Sequence, residues 1–238
     1  LTARRVFGDD VPSGDGAATA SEAALRRFGL RGLLGWVSPT ETLRVDQLVV
    51  GLVLSAYDLG LYVAALAFTN LPRFLAQAVG NVAYPRVAVE RNFAAQRRQM
   101  WRYVAFGTAV STVVAGLLAA AADPLVRLAF GDAFGGAVGP LRLLLLATVT
   151  LCARRVLSEA MRGAGFAGAT SRAEIASWLS LVPTLPLLGL EYGLDGVALA
   201  LCSAYLLSLF TLLWVMAASR TGPSICPRQG SSLDGAGS

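Results

Sequence analysis

The sequence predicts an all-α integral membrane protein built as a bundle of six transmembrane helices. Of its 238 residues, 55% are hydrophobic and 15% are charged, and the mean hydropathy is +0.59. Soluble domains carry about 25% charged residues, so soluble enzymes and nucleic-acid-binding proteins are disfavoured. The polar residues are concentrated between apolar runs near the ~20 residues that a span requires. These runs lack the two-residue alternation of strands, so we expect helices.

Six apolar segments divide the chain. The predicted spans cover residues 30–54, 60–84, 103–122, 138–155, 174–190 and 196–218, and together they form a bundle over residues 22–218. Residues 1–21 are predicted to be a flexible linker. Residues 219–238, which are rich in Gly, Ser and Pro, are predicted to be a disordered tail.

The arginines predict the orientation of the bundle. All twenty basic residues are arginine, and most lie before the first span, in the second and fourth connections, or in the tail. The fourth connection holds Arg154, Arg155, Arg162 and Arg172. The opposite connections carry mainly acids, namely Asp58, Asp123, Asp132, Glu191 and Asp195. By the positive-inside rule, we expect both termini on the cytoplasmic side of the cell inner membrane.

One of these basic connections, residues 86–102, has two interpretations. It is either a solvated basic loop or a helix that lies along anionic lipid headgroups.

The sequence lacks the residues that several kinds of catalysis and metal binding require. The chain has no histidine, which removes imidazole catalysis and histidine metal ligands. Cys152, Cys202 and Cys226 are too far apart in sequence for a zinc motif or a disulfide framework. No Gly-rich loop followed by Lys is present. We therefore expect no catalytic residue, no metal, no cofactor and no nucleic acid partner.

The second predicted span carries a stripe of polar residues. Asn70, Arg73, Gln77, Asn81 and Tyr84 recur at spacings of three or four, which places them on one arc of about 100° of a helix. Ionisable groups inside spans are costly and usually face a cavity or a partner. We expect this polar stripe to line a wet interior, with Arg73 as a fixed charge for an anionic headgroup. The alternative is a structural pair between Arg73 and a neighbouring carboxylate.

The first predicted span holds Glu41, Arg44 and Asp46. Glu41 and Arg44 are three residues apart and can pair, whereas Asp46 lies about 160° around a regular helix from Arg44. In one interpretation Arg44 is a second cationic cavity residue, and Asp46 holds it or a coupling cation. In the other, Glu41 and Arg44 neutralise each other while Asp46 bonds a neighbouring helix. The substrate-binding candidates are thus Arg44, Asp46, Arg73, Gln77 and Asn81, supported by Glu41, Asn70 and Tyr84.

Two further segments contain small residues at four-residue steps, a spacing that lets helices approach closely. The first ladder is Gly107, Ser111, Ala115 and Ala119, and the second is Gly196, Ala200, Ala204 and Ser208. We expect structural roles for both.

A series of short motifs resembles one transporter family. Leu43-Arg-Val-Asp-Gln-Leu-Val-Val-Gly51 is followed by Leu59-Gly-Leu-Tyr-Val-Ala-Ala65 and by Ala83-Tyr-Pro-Arg-Val87. Later motifs are Phe130-Gly-Asp-Ala-Phe134, Met161-Arg-Gly-Ala-Gly165 and Tyr192-Gly-Leu-Asp-Gly-Val-Ala198. In order and spacing, over residues 25–218, the sequence resembles the polysaccharide (oligosaccharide-lipid) flippases of the multidrug/oligosaccharidyl-lipid/polysaccharide exporter superfamily.

The resemblance implies both an architecture and a function. Such flippases have two six-helix bundles around a central cavity, and they export undecaprenyl-pyrophosphate-linked oligosaccharide by alternating access for cell-surface polysaccharides such as lipopolysaccharide. Cationic cavity residues receive the pyrophosphate, a role that the resemblance implies for Arg44 and Arg73, with Asp46 beside the first. The chain resembles the C-terminal half alone. The implied partners are therefore the lipid bilayer, the lipid-linked substrate and a second six-helix bundle.

Other functions remain open. Glu41 and Asp46 would suit a cation-coupled multidrug antiporter of the same superfamily. A membrane-embedded envelope-polysaccharide enzyme would use Asp123, Arg127 and Asp132 in the connection 123–137. The third alternative is a scaffold for other envelope proteins, which the polar stripe disfavours.

Overall fold

The computed structural model describes residues 43–90 and 92–218, and none of these residues lies in a strand. The predicted linker, the predicted tail, Glu41 and residues 30–42 of the predicted first span lie outside the described residues. The described helices are α1 (Val45–Val53), α2 (Ala56–Val89), α3 (Phe93–Ala120), α4 (Ala122–Phe130), α5 (Val138–Gly163) and α6 (Ala167–Ala218), with a 3₁₀ helix at Asp132–Ala137.

Four helical segments, which contain α2, α3, α5 and α6, are long and apolar enough to cross a membrane. The predicted all-α membrane class is therefore confirmed. The count of six spans stays a prediction, because the described part of the first predicted span contains only the nine-residue helix α1.

Side-chain caps explain why α2 and α3 extend beyond the predicted apolar windows. The Ser55 hydroxyl accepts a hydrogen bond from the Asp58 N–H at 3.1 Å, and the Asp58 carboxylate accepts one from the Ser55 N–H at 3.2 Å. This capping box begins α2 with only two residues between it and the end of α1. The Asn92 side chain accepts from the Ala94 N–H at 2.9 Å and begins α3. The basic residues that follow Asn92 are therefore helical, and the described residues 86–89 and 93–102 belong to α2 and α3.

The helix α6 reverses direction at Gly193. This residue has φ 61° and ψ −137°, in a region that favours glycine. A Cβ on Gly196 would overlap the backbone oxygen of Leu188, and a Cβ on Gly189 would lie 3.5 Å from Val197 Cγ2. Residues eight apart on a continuous helix are separated by about 12 Å, so the two segments of α6 run antiparallel. They lie where the fifth and sixth spans are predicted.

The central helix of the bundle is α5, which packs against α2, α3 and α6. Its contact with α2 is close, because a Cβ on Gly163 would overlap the Tyr84 backbone oxygen. The first small-residue ladder lies in such a contact: Gly107, Ser111 and Ala115 are buried, and a Cβ on Gly107 would be 2.9 Å from Val156 Cγ2. The second ladder is buried throughout. Both predicted packing faces are confirmed.

We expect Gly196→Ala to destabilise the protein by about 1–3 kcal/mol, because the added methyl group overlaps the Leu188 carbonyl across the reversal. The measurement is thermal unfolding of the purified protein in detergent. Gly168→Ala is the matched control, since it is also in α6 and its Cβ would meet no atom within 4 Å. A Gly196→Ala protein as stable as the control would contradict the antiparallel arrangement.

Candidate functional site

A buried polar contact joins α1 to α2. The Tyr62 hydroxyl donates a hydrogen bond to Asp46 Oδ2 at 2.7 Å, and the two residues are only 0% and 4% exposed. The second carboxylate oxygen, Oδ1, is also buried and has no hydrogen-bond partner. The contact therefore fixes α1 against α2 and leaves Asp46 Oδ1 able to accept a further hydrogen bond or to bind a cation.

Arg73 lies about three turns beyond Tyr62 on α2 and is half-buried. Its charge acts electrostatically on Asp46 and on Tyr62. Other arginines form ion pairs with described residues, among them Arg127, Arg154 and Arg162. The Arg73 Nε is buried without a hydrogen-bond partner. The predicted alternative, a close structural ion pair, is therefore not formed among the described residues.

The polar stripe is not inside this bundle. Asn70, Gln77, Asn81 and Tyr84 are all exposed, so they lie on the surface of the described bundle, and the expectation that they line a wet interior stays a prediction. The packed line of α2 is the neighbouring one, formed by Thr69, Ala76, Gly80, Ala83 and Val87, which are buried.

Side-chain size explains this arrangement. A Cβ on Gly80 would be 3.1 Å from Glu159 Cγ on α5. The small residues therefore let α5 approach that line of α2. The polar line, about 100° further around the helix, is left at the edge of the contact.

The stripe lies on the side of α2 that faces away from α3. Val79 faces α3, since a Cβ on Gly107 would lie 3.2 Å from Val79 Cγ1. Asn81 follows two residues later, about 200° around the helix. Within the described residues, α2 and α6 have no extended contact with each other, although both pack on α5 and on α1. The stripe is therefore open along the flank of α2 away from α3.

Arg44 does not belong to this cluster. It is exposed, and no hydrogen bond or ion pair of its side chain to another described residue is present. Its backbone is left-handed, with φ 49° and ψ 42°, and α1 begins at the next residue. The sequence predicts a continuous helix through Arg44. The described helix instead begins after Arg44, whose carbonyl oxygen accepts the first helical hydrogen bond, from the Leu48 N–H at 3.2 Å.

A second buried cluster, at Arg154, is not predicted from the sequence. We assign this residue to the basic fourth connection, but it lies inside α5 and is 3% exposed. Its Nη1 donates to Glu174 Oε1 at 2.7 Å and to Ser208 Oγ at 3.1 Å. Glu174 and Ser208 lie on opposite segments of α6, so one guanidinium holds both segments to α5. Arg154 continues the three-residue spacing of Leu151 and Leu157, which are both buried. This spacing is the one sequence signal that indicates a buried position for Arg154.

The connection 123–137 forms an ion-paired surface. Arg127 contacts Asp123 at 3.1 Å and Asp132 at 3.2 Å, and all three side chains are at least half exposed. Both acids are thus engaged by one cation. Among the residues that the structure describes, no group of three or more acids and cysteines could hold a metal ion.

We expect Glu174→Ala to lower the stability by about 3–5 kcal/mol, because it leaves the Arg154 charge buried without its carboxylate. Thermal unfolding in detergent measures the loss. Asp123→Ala is the control: it removes an exposed ion pair, for which we expect little change. Replacing both Arg154 and Glu174 by Leu should restore part of the stability. Equal effects of Glu174→Ala and Asp123→Ala would contradict a buried structural role.

We expect cysteines in the stripe to react with a membrane-impermeant maleimide. In the full chain without its three native cysteines, Gln77→Cys and Asn81→Cys should be labelled in intact membranes, because polar side chains at this depth require water. Leu71→Cys and Val82→Cys are matched controls at similar depth. Both positions are about half exposed, but they lie on the apolar side of α2. Equal labelling of all four variants, or labelling of the controls alone, would contradict a water-lined stripe.

Comparison with known proteins places these features in one family. A family model described as "polysaccharide biosynthesis protein" matches residues 19–139, slightly more than half of the chain. The match includes the Asp46–Tyr62 contact and the polar stripe, whereas Arg154 and Glu174 lie beyond it. No curated protein and no solved structure matches the chain significantly.

Proposed function

The chain belongs to the polysaccharide biosynthesis protein family, and from this premise we propose that it translocates a lipid-linked oligosaccharide across the cell inner membrane. The observation that carries the proposal is Arg73. It is a half-buried guanidinium at membrane depth, in a row of polar side chains, with no ion pair among the described residues. Such a charge is costly in lipid and is typical of an ion or substrate pathway.

The proposed mechanism starts from the charge of the cargo. A pyrophosphate that links a sugar to a lipid is anionic, and it cannot enter hydrocarbon without compensation. The guanidinium group of Arg73 can donate two charge-assisted hydrogen bonds in parallel to phosphate oxygens. Gln77 and Asn81, one and two turns further along α2, offer amides to phosphate or sugar hydroxyls. The Asp46–Tyr62 contact fixes α1 against the helix that carries Arg73, and the charges of Asp46 and Arg73 attract each other.

The stripe requires a second protein surface in this proposal. Exposed polar residues at membrane depth are stable only against water or another protein. A second six-helix bundle opposite the stripe would enclose a water-filled cavity, with this chain as one half of the transporter. Rocking of the two bundles would then open the cavity to each side in turn. In this arrangement the bundle has six spans, both termini are cytoplasmic, and the chain carries out no catalysis.

One observation favours a second candidate. Asp46 Oδ1 is buried and accepts no hydrogen bond, which would suit a cation-coupled multidrug antiporter. In the flippase proposal, the charge of Asp46 is instead balanced electrostatically by Arg73. The two candidates differ in cargo charge, since the antiporter would move cations and the flippase an anionic lipid.

We expect Arg73→Ala, in the complete protein, to reduce export of lipid-linked oligosaccharide by about 100-fold or more. Losing a charge-assisted hydrogen bond to a buried anion costs roughly 3 kcal/mol. The measurement is the fraction of labelled lipid-linked sugar that reaches the outer leaflet of intact cells. Arg73→Lys keeps the charge but loses the fork, so it should retain partial export.

Arg142→Ala is the control for this experiment, because Arg142 is an exposed arginine of α5 away from the stripe. Each variant is compared at equal membrane abundance. Full export by Arg73→Ala would overturn the proposed role of this residue. Unchanged sugar export together with lost efflux of a cationic drug would favour the antiporter.

A further inference from the structure

Two arginines, Arg86 and Arg102, lie on the other side of α2, at its junction with α3. An open cavity of about 620 Å³ is lined there by Arg86, Gln99, Arg102, Tyr103, Ala105 and Phe106. The junction is held in shape by Gln96, whose amide donates to the Val87 backbone oxygen at 3.0 Å. Ion pairs between described residues include neither Arg86 nor Arg102. The cavity therefore presents two guanidinium groups that are available to an anion.

A second cavity continues from the first along α3. It has a volume of about 580 Å³ and is lined almost entirely by apolar groups, from Trp101 through Ala105 and Ala109 to Val113. Ala105 lines both cavities, so they adjoin. From Ala105 to Val113 the apolar groove runs about 12 Å along the helix axis. A basic pocket thus opens directly into a groove that suits a hydrocarbon chain.

The position of α3 places this combined site at the membrane surface. Only 22% of its most apolar window is buried, against 44–56% in the other three candidate spans, so most of α3 faces outward. Trp101 is 41% exposed, and amphipathic aromatic residues at such positions mark the level of the headgroups. Beyond Arg102, the next ionisable residue on the chain other than Tyr103 is Asp123. The two arginines therefore lie at headgroup level and the groove lies deeper.

The site is separate from the polar stripe. Arg86 follows Tyr84 by two residues, about 200° around α2, and lies on the flank that faces α3. A ligand here would not enter the proposed cavity beside Arg73.

We propose that this site binds one anionic phospholipid, with the phosphate between Arg86 and Arg102 and an acyl chain in the groove from Ala105 to Val113. Two forked guanidinium groups suit the oxygens of a phosphate diester. Their position at headgroup level favours an anionic lipid over a zwitterionic one. The adjoining apolar groove favours a lipid over a free anion, because its apolar surface contributes affinity only to a ligand with a hydrocarbon chain.

The test measures lipid retained by the purified full chain, using native mass spectrometry with phosphatidylglycerol and phosphatidylcholine as probes. We expect one phosphatidylglycerol to be retained in preference to phosphatidylcholine. Arg86→Gln with Arg102→Gln should weaken its binding by about tenfold or more, since each interfacial arginine contributes a gain of about fivefold. Arg97→Gln with Arg98→Gln is the matched control. It removes the same charge from exposed positions at the same end of α3 but leaves the pocket intact.

A second variant separates a lipid from a free phosphate. Ala109→Phe fills the groove without touching the arginines, so it should weaken phosphatidylglycerol binding several-fold, and excess inorganic phosphate should not displace the lipid. The proposal is overturned if the two double variants lose lipid equally, which would indicate diffuse attraction. It is also overturned if Ala109→Phe binds normally while phosphate competes, or if the unmodified protein retains no anionic lipid.

Discussion

The close contact between α2 and α5 determines where every polar group of the proposed transport site lies. Gly163 leaves no room for a side chain between the two helices and Gly80 leaves little, so the line of small residues on α2 becomes the packed line. The polar stripe follows about 100° further around α2 and is therefore displaced to the bundle surface. A bulkier contact would rotate α2 and bury amides and a guanidinium in an apolar core, at a cost that packing alone would not offset.

Arginines take three different roles in this protein because their surroundings differ. Arg154 is enclosed and contacts Glu174 and Ser208, so it stabilises the junction of α5 with α6. Arg127 is exposed between two acids, where solvent screens the ion pairs. Arg73 lies at membrane depth, and no carboxylate of the described residues contacts it directly. Only in the last case is the charge available for a ligand, which is why the proposed function depends on that residue.

Hydrophobicity predicts the membrane class and the approximate positions of the long helices, because both depend on the length of the apolar segments. The two small-residue ladders are predicted by the local spacing of small residues. Three features depend on tertiary contacts and are not predicted. The charge of Arg154 predicts a position in a connection between spans. The Glu174 carboxylate, twenty residues later, pairs with this charge, so Arg154 can lie inside a helix. Arg44 has a positive φ that no sequence pattern indicates. The stripe residues have the predicted helical phase, but their outward position depends on which line of α2 is small enough to meet α5.

The reversal at Gly193 has a mechanical consequence. No loop separates the two segments of α6, and Gly196 is in contact with the Leu188 backbone immediately after the turn. At the other end of the pair, Arg154 holds Glu174 and Ser208 to the same helix. The two segments are thus clamped at both ends and cannot slide past each other. During any rearrangement we expect the two segments to move as one rigid unit, and changes in backbone conformation to occur outside this pair.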